Sequence, residues 1–320
     1  MNHIKDQIRC GAAYRLGLTG KGIGVAVLDT GIFLHRDFDS RVTGFADMVN
    51  GKTFAYDDCG HGTHICGIIG GSGRMSGGRY SGIAPGCDLV MVKVLDRKGN
   101  GYSSDVLAGI SWILERKEKL GIRILNISVG ACSKRGTSEN SALVKGVNRA
   151  WDAGLVVVVA AGNNGPRNMS ITTPGISRKV ITVGCSDDDR EVLVGGNRMV
   201  DYSGRGPTAA CICKPDLVAP GCSVVSCAGR ADKYTIKSGT SMSTPIVSGA
   251  TALLLERYPD MTNKDVKLKL RESCRDIGLP RNQQGWGLLD VEKLVSRFWL
   301  VHLPSFLERL LLTAVRCYGK

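Results

Sequence analysis

The chain has 320 residues, of which 43% are hydrophobic and 42 are glycine. This length fits one large α/β domain, and the composition fits a compact, turn-rich globular protein. The formal net charge is +13, because 42 Lys and Arg stand against 29 Asp and Glu. The basic residues are scattered singly and no basic run is interleaved with aromatic residues, which favours a solvated basic surface over a nucleic-acid-binding one.

The cysteines bear on the cellular compartment. There are twelve, but only Cys211 and Cys213 are closely spaced, and no second pair with zinc-site spacing occurs. The first residues show no basic segment followed by an apolar stretch, so no secretory signal is visible. We therefore expect free thiols and a cytoplasmic location, with export by another route or from a trimmed precursor left open.

The first elements along the chain are a short amphipathic helix at 4–16 and a buried strand at 22–29, which ends in Asp29. Glycines at 20, 22 and 24 precede this strand. A dinucleotide-binding loop follows its strand, so that interpretation is excluded. Asp29 is either a cap for the next segment or part of a site, since α/β proteins place their sites at the carboxyl ends of parallel strands.

Two histidines, His61 and His64, open an apolar helical run that extends to Ile69. A zinc site would need further ligands, such as the glutamate of an H-E-x-x-H motif, and they are missing. One histidine acting as a general base, with the other packed structurally, agrees better with the sequence.

Strands and helices then alternate along the chain. The run 155–161 shows no alternation of polar and apolar residues, which is typical of a strand buried on both faces of a parallel sheet. We therefore predict a three-layer α/β/α domain with a mainly parallel, doubly wound central sheet. Further strands are predicted at 89–95, 123–130, 180–184, 216–221 and 223–226, and helices at 104–119, 139–153, 241–257 and 263–273.

A small-residue turn leads into the helix at 241–257, with Ser241 at the junction. A hydroxyl there lies near free helix N–H groups, which suits a nucleophile but also an ordinary N-cap. A serine nucleophile needs a base, which His61 can be if a carboxylate such as Asp29 holds its tautomer. Asn163, otherwise an ordinary turn residue, can donate its amide to a developing oxyanion.

Four short motifs carry a family resemblance: Asp29-Thr30-Gly31, His61-Gly62-Thr63-His64, Ala160-Ala161-Gly162-Asn163 and Gly239-Thr240-Ser241-Met242-Ser243-Thr244-Pro245. In these motifs and their order the chain resembles the subtilisin-like serine proteases, or subtilases, over about residues 5–292. The resemblance implies a serine endopeptidase that acts through an acyl-enzyme intermediate. It assigns Ser241 as nucleophile, His61 as general base and acid, Asp29 as orienting carboxylate, and Asn163 with the Ser241 backbone N–H as oxyanion hole.

The resemblance also implies how a peptide substrate binds. Residues 100–102 and 128–130 resemble two substrate-binding strands, between which an extended peptide is held by main-chain hydrogen bonds. No acidic residue is obviously placed at the pocket for the residue before the scissile bond, so we expect broad specificity with apolar or mid-sized residues preferred there. The implied substrate-binding residues are Asn100, Gly101, Tyr102, Ser128, Val129, Gly130, Ala160, Gly162 and Thr172.

The chain departs from many secreted subtilases in its loop 71–79, which lacks Asp, Asn and Glu. Calcium needs several oxygen ligands, normally including carboxylates. We therefore expect no required cofactor and no tight calcium site, while a weak ion site around Asp187-Asp188-Asp189 stays open. We expect no inhibitory pro-domain within this sequence, either because it was removed or because this branch folds without it. Cys59 and Cys66 flank His61, so we expect bulky thiol reagents to inhibit indirectly.

The sequence predicts a peptidase domain over 1–295 and an apolar tail over 296–320. Pro304, Glu308 and Arg309 interrupt short apolar runs and argue against a transmembrane span. We expect an amphipathic helix packed on the domain, with docking to a membrane surface or partner as the alternative. Protein and peptide substrates are expected, and no nucleic acid. Two other functions stay open: an inactive subtilase fold used for binding or scaffolding, and a processing protease of narrow specificity.

Overall fold

The computed structural model describes residues 1–130 and 139–296. The predicted C-terminal tail, apart from Ser296, lies outside the described residues. The main buried core runs from Met1 to Val295, so both ends of the described chain contribute to it. The boundary at 295 stays a prediction.

Within residues 1–130 and 139–296, seven strands form the central sheet, and every neighbouring pair is parallel. They are β1 (Gly24–Asp29), β2 (Val42–Asp47), β3 (Asp88–Lys93), β4 (Ile122–Ile127), β5 (Val156–Ala160), β6 (Ile181–Cys185) and β9 (Leu217–Ala219). Their order is β2-β3-β1-β4-β5-β6-β9. Two antiparallel ribbons stand apart, β7 (Val192–Val194) with β8 (Asn197–Met199) and β10 (Val224–Cys227) with β11 (Tyr234–Lys237).

Helices cover both faces of the sheet and complete the predicted three layers. The helices are α1 (Asn2–Gln7), α2 (Gly11–Arg15), α3 (His61–Gly70), α4 (Ser103–Arg116), α5 (Ala142–Asp152), α6 (Thr240–Arg257), α7 (Asn263–Ser273), α8 (Arg281–Gln284) and α9 (Val291–Val295). The two helices α3 and α6 pack together and against the sheet, while α4 and α5 form a second pair. Every residue of β1 and β5 is buried, because helices cover these strands on both faces.

The structure differs from the sequence-based prediction in places where local pattern is weak. The helix predicted at 4–16 is two helices, because Arg9 adopts a left-handed φ of 56° between them. The run predicted at 223–226 is β10, which pairs with β11 and not with the central sheet. The half-exposed strand β2 and the β7–β8 ribbon were not predicted, since neither has a strong apolar run.

The sheet order fixes where a site can form. From β1 the chain moves to β2 and then to β3 on one side, and then crosses to β4 on the other side of β1. This reversal leaves a crevice at the carboxyl ends of β1 and β4, the position where open α/β sheets bind ligands.

Candidate active site

Asp29 and His61 meet at this crevice. Asp29 is the last residue of β1 and fully buried, while His61 is the first residue of α3 with its side chain 23% exposed. The Asp29 Oδ1 atom lies 2.7 Å from His61 Nδ1 and also accepts the Thr30 N–H at 2.8 Å. An ionised carboxylate only accepts, so Nδ1 carries the proton and Nε2 is free to act as a base.

The sequence around each residue explains why strand and helix meet so closely. The Thr30 hydroxyl donates to Asp57 and accepts the N–H of Gly62, which links the end of β1 to the first turn of α3. Asp57 also accepts hydrogen bonds from the backbone and hydroxyl of Thr63. A Cβ atom at Gly62 would collide with the carbonyl oxygen of Gly31, so only glycine permits this approach.

The pKa of His61 is raised above its ordinary value. Burial alone would lower it, because burial disfavours the charged imidazolium. The Coulomb attraction of Asp29 and its hydrogen bond outweigh burial, and Lys237 acts in the opposite direction as a nearby positive charge. The site therefore stabilises the imidazolium that a general base becomes when it takes a proton.

His64 is a structural residue, as expected for one of the two histidines. Its Nε2 lies 3.1 Å from the Val224 carbonyl and 3.2 Å from that of Thr235, so it donates to both strands of the β10–β11 hairpin. Burial lowers its pKa to about 3, with positive charge at Lys237 and His61 as further causes. A neutral His64 therefore anchors the hairpin on α3.

Ser241 lies in the first turn of α6, where backbone N–H groups lack helical partners. Its hydroxyl donates to the Ser128 carbonyl at 2.7 Å, so a rotation about its side-chain bond must precede donation to His61. Gly239, just before α6, has a φ of 137°, a conformation that L side chains rarely adopt. This backbone turn brings the serine to the cavity that His61 also lines.

Asn163 follows β5 and faces the start of α6. Its Oδ1 accepts from the backbone N–H and the hydroxyl of Thr240, each at 3.0 Å. The Thr240 hydroxyl accepts in turn from the Gly162 N–H at 3.2 Å. Because these contacts occupy the oxygen, the Nδ2 group is the part of the amide left to donate to a ligand in the cavity shared with Ser241.

All of the implied substrate-binding residues line two adjoining cavities. The first, about 440 Å³, holds His61 and Ser241 together with Ser128, Val129, Gly130, Ala160, Gly162, Asn163 and Thr172. The second, about 220 Å³, is lined by Asn100, Gly101 and Tyr102 and shares Val129 and Gly130 with the first. No carboxylate lines the first cavity among the residues that the structure describes.

The two cysteines beside His61 differ in access. Cys59 is half-buried and lines the catalytic cavity, whereas Cys66 is fully buried within α3. Burial raises the pKa of both thiols. Reagents that enter the cavity therefore reach Cys59 and not Cys66.

Several supporting residues were missed by the sequence analysis. Asn126, buried in β4, donates to the Ser128 hydroxyl at 2.9 Å and accepts from Ser248 of α6 at 2.8 Å. These bonds connect α6, which carries Ser241, to the segment whose Ser128 carbonyl accepts the Ser241 hydroxyl. A polar residue inside an apolar strand was the available signal, because buried polar groups need partners. Thr240 and Lys237 gave no comparable signal.

Comparison with known proteins agrees with this fold and site. The model of the subtilase family matches residues 20–287, and the chain belongs to this family of peptidases. The chain is 42% identical to serine protease AprX of Bacillus subtilis (strain 168) over 287 residues, which are 84% of this chain and 64% of that protein. It is 34% identical to subtilisin Savinase of Lederbergia lenta, covering 90% of this chain and 96% of Savinase.

Solved structures agree with the assignment. Sphericase superposes with a TM-score of 0.73 at 31% identity, over 86% of this chain and 93% of that one. These likenesses confirm the predicted fold class and family. In addition, no helix within residues 1–130 and 139–296 is long and apolar enough to cross a membrane.

Proposed function

We propose that the protein is a serine endopeptidase that hydrolyses peptide bonds through an acyl-enzyme intermediate. The observation that carries the proposal is the 2.7 Å hydrogen bond from buried Asp29 to His61, which lines the same cavity as Ser241 and Asn163. The relative AprX supports this proposal, because it is named a serine protease. The chain spans only 64% of the length of AprX, so its activity rests on its own site.

In the proposed reaction Ser241 attacks the scissile carbonyl after its hydroxyl turns from the Ser128 carbonyl towards His61. His61 Nε2 takes the hydroxyl proton and then gives it to the leaving amine, while Asp29 holds the ring. The negative charge on the carbonyl oxygen is stabilised by the Asn163 amide and the Ser241 backbone N–H at the start of α6. Water then hydrolyses the acyl-enzyme by the same steps in reverse.

For specificity we propose broad cleavage with apolar or mid-sized residues before the scissile bond. Val129, Ala160, Gly162 and Thr172 line the cavity beside the nucleophile, and a pocket of this composition offers no carboxylate to a basic side chain. Residues 100–102 and 128–130 leave a groove in which an extended peptide can pair with the main chain. Protein and peptide substrates follow from this arrangement.

A serine-directed phosphonate tests the mechanism. We expect stoichiometric labelling of the wild type, and no labelling of Ser241→Ala, since only an activated serine reacts. Ser243→Ala is the matched control: its hydroxyl is buried in the same helix, and we expect labelling to persist. An inactive scaffold would leave the wild type unlabelled. Cleavage-site profiling on a denatured proteome separates broad specificity from a narrow processing enzyme.

We also propose that catalysis needs no metal. The Asp37 carboxylate, beside loop 71–79, accepts from the Met75 N–H and the Tyr234 hydroxyl, and Asp187 accepts from the Gly221 N–H. These carboxylate oxygens therefore already face hydrogen-bond donors, whereas a calcium site needs carboxylate oxygens that bind the ion. We expect chelation with EGTA to change neither kcat nor the melting temperature, and a loss of either that calcium restores would contradict this proposal.

We further propose a reducing compartment such as the cytoplasm. The ten cysteines within the described ranges are all free thiols. Growth-phase fractionation with an antibody against the chain tests this location, and recovery in the culture medium would overturn it.

A further inference from the structure

A second large cavity continues from the catalytic one. It measures about 600 Å³ and shares Cys59 and Lys237 with the catalytic cavity. The acyl part of a peptide is proposed to lie between residues 100–102 and 128–130. None of these residues lines the second cavity. Because His61 passes its proton to the leaving amine, the segment after the scissile bond must extend past His61. Cys59 and Gly60, which immediately precede His61 in the chain, line this second cavity.

Three basic residues line this cavity, all from the β10–β11 hairpin. Lys237 ends β11, while Arg230 and Lys233 belong to the turn that joins the two strands. Within residues 1–130 and 139–296, no acidic side chain lies within ion-pair distance of these three cations. Unpaired positive charges grouped in a concave site attract anions more strongly than charges on a flat surface.

The two acidic residues of the same cavity are already engaged. Asp58 pairs with the buried Lys93 at 2.7 Å. The Asp57 carboxylate accepts hydrogen bonds from the hydroxyls of Thr30 and Thr63, and these bonds stabilise the turn before α3. The cavity therefore keeps a positive balance, in keeping with a chain whose formal net charge is +13.

The hairpin that carries these cations is held firmly beside the base. His64 donates to the carbonyls of Val224 and Thr235, one on each strand. The turn crosses the start of α3 so closely that a Cβ atom at Gly229 would lie 2.6 Å from the Cα of Gly60. The Lys237 ammonium is near enough to lower the pKa of His61.

We propose that this cavity binds acidic residues of the substrate on the leaving side of the scissile bond. The ligand class is a peptide with Asp or Glu in the first few positions after that bond, and Lys237 and Arg230 recognise the carboxylates. This inference rests on the proposed endopeptidase function and names the substrate class of the same site.

Matched quenched fluorogenic peptides test the proposal. They share every residue before the scissile bond and carry Asp-Asp, Asn-Asn or Lys-Lys at the second and third positions after it. We expect kcat/KM to be highest for Asp-Asp, by about two- to fivefold for each favourable charge pair. The preference should shrink as the salt concentration is raised, because the Debye length falls below about 8 Å above physiological ionic strength.

Variants assign the effect to the cavity. Lys237→Gln and Arg230→Gln should each reduce the ratio of Asp-Asp to Asn-Asn, while Lys119→Gln, the same charge change in the exposed segment before β4, should leave it unaltered. Lys237→Gln should also raise the pKa of His61, so the acid limb of kcat/KM moves to higher pH. A merely damaged fold would not produce that shift.

The possible outcomes distinguish failure of the acidic-subsite proposal from failure of the proposed endopeptidase function. Failure of every peptide to be cleaved would overturn the endopeptidase function. Cleavage with equal kcat/KM for Asp-Asp and Asn-Asn, or a preference for Lys-Lys, would overturn the acidic subsite alone. If a variant does not fold, the salt dependence of the wild-type ratio still decides, since a ratio insensitive to salt contradicts recognition by exposed charges.

Discussion

Asp29 acts on His61 through one short hydrogen bond and one charge, and both raise the histidine pKa. In the proposed mechanism the neutral imidazole is the base, so activity should fall as the pH drops through a value above the ordinary 6.5 or so for histidine. In Asp29→Asn the attraction is lost, and the acid limb should move to lower pH. We also expect kcat to fall about 10³- to 10⁴-fold, since the tautomer is no longer fixed.

Measured pH profiles of kcat/KM check this prediction, with Asp88→Asn as control. Asp88 begins β3 and pairs with Gly24, at the amino ends of the strands, whereas the site lies at their carboxyl ends. An acid limb that stays in place in Asp29→Asn would show that this carboxylate does not set the pKa of the base.

Asn163 combines two functions in one side chain, because its oxygen holds Thr240 and its Nδ2 group is left to donate. Asn163→Asp keeps an acceptor for Thr240 and removes the donor, while adding a negative charge near the oxyanion. We expect kcat to fall about 10²- to 10³-fold with little change in KM. Steady-state kinetics check this, and an increase in KM alone would assign Asn163 to substrate binding instead.

Cys59 should account for any inhibition by thiol reagents, because it lines the catalytic cavity while Cys66 is fully buried. Its pKa is raised by burial, so inhibition should accelerate as the pH rises and more thiolate forms. Residual activity after treatment with a bulky maleimide measures the effect. Cys59→Ala should be resistant and Cys66→Ala should remain sensitive; the reverse pattern would contradict the structure.

At the level of elements, the segment after β4 and the segment after β5 both pack closely against the Thr172 side chain. A Cβ atom added at Gly130 would collide with Thr172 Oγ1. Gly130→Ala should therefore displace the segment proposed to hold the substrate and lower kcat/KM about 10- to 100-fold.

A double variant makes this test specific. Thr172→Ala removes the colliding hydroxyl, so Gly130→Ala with Thr172→Ala should recover part of the lost activity. Gly11→Ala in α2 is the control, since its added Cβ meets nothing closer than 3.6 Å. Strictly additive losses in the double variant would show that the collision is not the cause.

For the molecule as a whole, His64 makes stability depend on pH. Its pKa is about 3 when folded and about 6.5 when unfolded, so the unfolded state binds an extra proton between these values. The free energy of unfolding therefore falls as the pH drops through this window, by at most about 1.4 kcal/mol per pH unit.

Denaturant unfolding between pH 7 and 4 measures this contribution. His64→Gln removes the titrating group and should flatten the dependence, at the cost of lower stability near pH 7 because the hairpin loses its anchor. His3→Gln, at an exposed position, should leave the wild-type slope unchanged. An unaltered slope in His64→Gln would show that other groups control acid unfolding.

The fold class and the residues of the candidate site could be predicted from the sequence alone. Apolar runs such as 155–161 predict strands buried on both faces, and their alternation with helices predicts the three layers. Asp29, His61, Asn163 and Ser241 stand at element ends in motifs that point to a family. These are local properties of the sequence, so they can be recognised without knowledge of the tertiary structure.

Which strand and helix ends converge, and which residues surround them, depends on contacts between segments that are distant in sequence. The order β3-β1-β4 places the ends of β1 and β4 side by side, and no local pattern encodes the order of strands in a sheet. Pairing of β10 with β11 places Lys237 beside His61, and no local sequence pattern at Lys237 indicates that position. The direction of the Ser241 hydroxyl likewise depends on the Ser128 carbonyl, a partner that hydrophobic periodicity cannot identify.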